Sequence, residues 1–142
     1  MRIVKSIVAM GLMATLMASI AQADVPTSCS LATLRGTMAW SGMTVHGNVW
    51  RGSSGFESYD GRGNMRYTQL GSDGISKDSY VGTATYTITA NCVATVVYDG
   101  DTANAWTYFV APDGSAYFYN NNLGLGGVSA GKVERISRAL LV

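Results

Sequence analysis

Between Tyr80 and Thr89 the chain alternates: Tyr80, Gly82, Ala84, Tyr86 and Ile88 hold the even positions, Val81, Thr83, Thr85, Thr87 and Thr89 the odd ones. A period of two puts one set on each face of a β-strand and suits no helix. Ala90–Asn91 then supplies a short turn, and Cys92 to Tyr98 returns with apolar residues on both faces. Asn at the second turn position tolerates a left-handed backbone, so the segment predicts a tight antiparallel hairpin.

The rest of the chain repeats this logic. Turn signals recur at Asp60-Gly61-Arg62-Gly63-Asn64, Gly71-Ser72-Asp73-Gly74, Asp99-Gly100, Pro112-Asp113-Gly114 and Asn120–Asn122, separated by runs rich in Thr, Val, Tyr and Trp. Such spacing reads as a meander. Strands are predicted near 34–41, 48–59, 64–70, 80–89, 92–98, 104–111, 115–120 and 127–139. Eight short-linked strands in one small domain suggest an all-β, closed antiparallel barrel, because closure removes exposed edges. Gly82, Gly126, Gly127 and Gly131, in or beside strands, fit the coiling that small barrels need. A two-sheet sandwich is the structural alternative.

The amino-terminal segment reads as an address. Arg2 and Lys5 precede an apolar run from Ile7 to Ile20, and Ala21-Gln22-Ala23 has the small-x-small form of a cleavage site. Residues 1–23 are therefore expected to be a secretory signal, with residues 24–142 forming one periplasmic or secreted domain. The apolar run is short and wrongly flanked for a membrane span, so no integral membrane segment is expected in the mature chain. A membrane barrel is disfavoured by the Thr face of 83–89, where lipid would demand apolar residues.

Without residues 1–23, eight basic residues face nine acidic ones, scattered along the chain. No Lys/Arg cluster exists to supply phosphate contacts, which argues against nucleic acid as a partner. Cys29 and Cys92 are the only cysteines. In an exported chain they read as one disulfide, two buried free thiols being the other reading. The bridge would close a loop of about 64 residues, for which a chain-entropy treatment gives roughly 4 kcal/mol.

Three stretches together carry a resemblance: Cys29-Ser30-Leu31-Ala32-Thr33-Leu34-Arg35-Gly36-Thr37, Tyr59-Asp60-Gly61-Arg62-Gly63-Asn64, and Gly82-Thr83-Ala84-Thr85-Tyr86-Thr87-Ile88-Thr89-Ala90-Asn91-Cys92. In that order they resemble small exported bacterial β-barrels similar to the allene oxide cyclase-like, or calycin-like, group. The resemblance implies an eight-stranded barrel. It also implies either a cavity that shapes a reactive substrate or one that only carries a ligand. Its motifs are turns and cysteines, so no catalytic position transfers to this chain.

Residues that could carry chemistry are few. His46, the only histidine, lies in the Gly-rich segment 41–47 and reads as an exposed loop residue. No ligand set for a metal and no cofactor motif is present. Glu57 and Glu134 are the only glutamates, both in predicted strands. A facing pair could do acid–base work, but Glu134 beside Arg135 and Arg138 reads as an outer-face ion pair. Asp60, Asp73, Asp99 and Asp113 each precede Gly and read as turn formers. The aromatics are the best ligand-site candidates: Trp50, Tyr67, Tyr86, Tyr98, Trp106, Tyr108 and Phe118, with Trp40, Tyr80 and Tyr119 in the wider set. Gathered inside a barrel they would bind a small apolar or amphipathic ligand, or else fill a solid core. A cavity-templated cyclase or isomerase, and an extracellular interaction protein with a solid core, are the alternative functions.

Overall fold

The computed structural model describes residues 28–122 and 127–140, so the expected signal segment 1–23 and Gly126 lie outside the described residues. Eight strands follow in chain order: β1 (Gly36–His46), β2 (Val49–Tyr59), β3 (Asn64–Ser72), β4 (Lys77–Ile88), β5 (Val93–Tyr98), β6 (Trp106–Val110), β7 (Ala116–Asn122) and β8 (Gly127–Ser137). Each pairs antiparallel with the next, and β8 returns to β1, closing the sheet into a barrel. Among the described residues the strands form one closed sheet and no pair of facing sheets, so the sandwich alternative falls. Two short 3-10 turns, Leu31–Leu34 and Thr102–Asn104, are the helical elements among the described residues.

The period of two decides which side chains enter the barrel. On β4, Ala84 and Tyr86 are buried while Thr83, Thr85 and Thr87 are exposed, as the alternation requires,. The hairpin after it differs from expectation in one detail. The left-handed residue is Cys92 (φ 62°), not Asn91. Thr89 N–H donates to Val93 O, and Cys92 N–H donates back to Thr89 O at 2.9 Å. The loop is thus one residue longer than a two-residue turn, and its last member takes the positive φ.

A meander places its loops alternately at two ends. The end carrying the β2–β3, β4–β5 and β6–β7 loops is filled. Met38, Tyr59, Met65, Ala94, Tyr117 and Val133 pack there at 0–2% exposure. The turn Leu31–Leu34 closes this end like a stopper. Leu34 is fully buried, which removes apolar surface worth roughly 1.5–3 kcal/mol. Tyr86 Oη donates to Leu31 O at 3.0 Å, and Arg135 Nη2 donates to Thr33 O at 2.5 Å. The Cys29–Cys92 disulfide, with Sγ atoms 2.06 Å apart, ties the stopper to the β4–β5 hairpin. The free-thiol reading is thereby excluded.

β1 continues to His46, although the segment after Ser41 reads from sequence as a Gly-rich loop. The reason lies across the barrel wall. Gly42 pairs with Gly131 of β8, and the Tyr119 ring lies over both. Glycine here makes a flat place in a strand rather than ending it. β4 likewise begins at Lys77, three residues before the alternation becomes readable.

Candidate functional site

The opposite end of the barrel is hollow. A cavity of about 220 Å³ lies inside it, walled by Trp40 (β1), Tyr67 (β3), Tyr98 (β5), Trp106 and Tyr108 (β6) and Tyr119 (β7). Thr44, Ser53, Gln69 and Ser129 add polar groups, and Glu57 of β2 supplies a carboxyl. The volume is below the roughly 300–1,000 Å³ of pockets that take drug-sized molecules. It suits something smaller.

Three of the wall rings stand opposite glycines. Trp40 pairs with Gly55, Tyr67 with Gly82 and Tyr119 with Gly131. A Cβ at Gly82 would come within 2.7 Å of the Tyr67 ring, and one at Gly55 within 2.8 Å of Trp40 Nε1. The absent side chains let the rings lie against the wall, leaving the centre empty. Tyr67 meets Tyr98 edge-on at 4.8 Å, Tyr98 meets Trp106 at 5.7 Å, and Trp106 meets Tyr119 at 5.4 Å. Trp40 Nε1 is buried without a hydrogen-bond partner, a state that costs about 1–3 kcal/mol of lost solvation.

Glu57 lies where the filled and hollow halves meet, only 3% exposed. Tyr59 Oη donates to its Oε2 at 2.6 Å and Tyr98 Oη to its Oε1 at 2.8 Å. Tyr117 Oη also donates to Oε2, and Tyr108 Oη shares a hydrogen bond with Tyr98 Oη. Each phenol has one hydrogen. With the carboxylate ionised, those of Tyr59, Tyr98 and Tyr117 point at it, and Tyr108 donates to Tyr98. When Glu57 gains a proton, the 2.8 Å contact between the Tyr59 and Tyr117 hydroxyls can take up a hydrogen no longer needed on Oε2. The cluster therefore accommodates both protonation states.

Burial pushes the Glu57 carboxyl up from 4.5 to about 7, the tyrosine hydrogen bonds offsetting part of the rise,. Burial likewise raises Tyr59, Tyr98 and Tyr108 well above the ordinary phenol value, and the charge of Glu57 adds to the effect. Tyr119 is pushed up to about 12 for the same two reasons. A carboxyl poised near neutrality among phenols can hold or release a proton, and when ionised it is a buried negative charge.

Of the seven aromatics expected to meet a ligand, Tyr67, Tyr98, Trp106 and Tyr108 line the cavity. Tyr86 is buried at the filled end, edge-on to Tyr59, away from the hollow. Trp50 and Phe118 point outward, 63% and 57% exposed, and their expected interior placement is corrected. Trp50 shares the outer face of β2 with Phe56, because Glu57 and Tyr59 take the inner one. In β7, apolar residues occupy both faces, so alternation gives no parity. The pairing of Phe118 with Lys132 and of Tyr119 with Gly131 sets Tyr117 and Tyr119 inside.

Glu57 and Glu134 do not face each other. Glu134 is on the outer face, paired with Lys132 at 2.5 Å. His46 is exposed at the end of β1. Asp60, Asp73 and Asp113 accept backbone N–H groups two residues on, as turn formers do. Asp99 does more: its Oδ2 accepts Tyr67 Oη at 2.6 Å and Tyr80 Oη at 3.1 Å, placing a second carboxylate beside a wall ring. Glu57 is a site residue that the local sequence only faintly marks. The signal was its shared strand face with Tyr59, two residues on, but the partners on β5, β6 and β7 come together only through barrel closure. No protein-family model matches this chain, and no curated protein or solved structure is significantly similar to it.

Proposed function

We propose that this barrel is an exported protein that binds one small amphipathic molecule in its hollow end, apolar body against the rings and polar end toward Glu57. The observation that carries this reading is the 220 Å³ cavity whose aromatic walls converge on a buried carboxyl. A solid core, the requirement of a purely structural barrel, would have these rings fill the centre. Export is supported by the disulfide, since such bonds persist in oxidising compartments,. Native mass spectrometry of the chain purified from its own host tests the reading. The expected result is an adduct of one small molecule per chain, absent when Ser53→Phe fills the cavity. A bare mass for both proteins would overturn it.

One observation favours a second reading. A carboxyl held near pH 7 inside an aromatic chamber is suited to protonate or deprotonate a substrate that the walls fold into shape,. That is a cavity-templated cyclisation or isomerisation. Turnover of a polyene or epoxide that disappears in Glu57→Gln would select it over simple binding.

A further inference from the structure

We propose that the molecule held in the hollow end is an organic cation, a small ammonium compound whose charged head lies against Glu57 and the ring faces. The inference rests on the binding reading above and adds the charge of the ligand to it.

Glu57 is buried, yet none of the described residues that line the cavity is Lys, Arg or His. The ion pairs among the described residues, Arg51 with Asp78 and Lys132 with Glu134, use their cations elsewhere. Tyrosine hydroxyls solvate the Glu57 carboxylate but bring no positive charge. Inside a low-dielectric chamber an uncompensated anion is costly, and a cation entering the chamber relieves that cost. A carboxylate has about four acceptor positions. Oε2 takes two phenols whereas Oε1 takes Tyr98, so Oε1 keeps room for another donor.

The walls add a second, independent reason. Tyr67 and Tyr98 meet at 89°, Tyr98 and Trp106 at 70°, and Trp106 and Tyr119 at 61°. With Tyr67 set over Gly82 and Tyr119 over Gly131, rings that stand so steeply to their neighbours form adjoining walls around the hollow. Ring faces carry negative potential, and a box of them is the arrangement that holds quaternary ammonium groups. Asp99, bonded to the hydroxyl of wall residue Tyr67, extends the negative field. An anionic ligand would meet repulsion from both carboxylates, and a neutral one would bring no charge to the ionised form of Glu57.

The test compares three probes of nearly equal shape: choline, its uncharged isostere 3,3-dimethylbutan-1-ol, and the anion 3,3-dimethylbutanoate. Dissociation constants are measured by calorimetry near pH 8, with thermal melts to confirm folding. Choline is expected to bind at least tenfold more tightly than the alcohol, with the carboxylate not binding. Glu57→Gln should remove the preference for choline over the alcohol. Should that variant fail to fold, Trp106→Leu serves instead, weakening choline more than the alcohol. Equal or tighter binding of the alcohol, or any binding of the anion, overturns the cation assignment while leaving a ligand cavity in place. Failure of all three probes also overturns it. The adduct found or missed by native mass spectrometry then decides separately whether the barrel binds anything.

Discussion

Glu57 makes stability depend on pH with an unusual sign. In the fold it keeps its proton up to about pH 7, whereas in the unfolded chain it loses it near the ordinary carboxylate value. Between those limits the folded state binds the extra proton, so stability falls as pH rises. The full drop is about 3 kcal/mol, one pKa unit being near 1.4 kcal/mol. The other titratable groups facing Glu57 are the phenols of Tyr59, Tyr98, Tyr108, Tyr117 and Tyr119; those whose shifts are resolved are raised and titrate above this window. The turn aspartates act oppositely. Backbone and side-chain hydrogen bonds hold Asp73 down to about 2 and lower Asp113, so their contribution is present above the ordinary carboxylate range and is lost as pH falls from there through those lowered values,. Stability should therefore peak near pH 5 and decline toward pH 8. Urea unfolding at the two pH values checks this, and Glu57→Gln is expected to abolish the decline. A decline that survives the substitution would show that Glu57 is not its source.

Strand glycines fall into two kinds, and substitution should separate them. Gly82 lies under the Tyr67 ring, and an added Cβ meets that ring and Asp99 Oδ1 at 2.7 Å. Gly82→Ala should cost about 1–3 kcal/mol, as overpacking does. Gly52, on the same sheet, has nothing within 4 Å of such a Cβ. Gly52→Ala should be neutral or stabilising by up to about 1 kcal/mol, since it restricts the unfolded chain. Chemical denaturation of the pair gives the comparison, and equal costs would contradict the packing described. The stopper element offers a parallel test. Cys92→Ser releases Leu31–Leu34 from the β4–β5 hairpin and should cost roughly 4 kcal/mol by loop entropy, read as a clear fall in Tm. An unchanged melt would mean the bridge contributes nothing.

For the whole molecule, the barrel was legible because alternation in β4 and Gly-marked turns are local properties of the chain. Eight strands form in the predicted order, with β1 running five residues beyond its expected end and β4 starting three residues early, and Thr85 is outside as its strand face requires. Thr85→Leu should accordingly change unfolding free energy by no more than about 0.5 kcal/mol, while lowering the concentration at which the protein precipitates. The site was less legible, for a physical reason. Strand parity groups Tyr98, Trp106 and Tyr108 with Tyr80, Tyr86 and Phe118; the first three do line the cavity, but in β7, apolar on both faces, Tyr119 takes the inward place that parity gives to Phe118. The meeting of Glu57 with phenols from three other strands depends on closure, which no local pattern encodes. The buried carboxyl at the base of an aromatic chamber is the claim on which the function rests. The chain has two glutamates, so carbon-13 labelling of glutamate carboxyls gives two NMR signals, and Glu57→Gln identifies one of them. That signal is expected to titrate with a midpoint near 7. A midpoint in the ordinary carboxylate range would place Glu57 in contact with water and contradict the account.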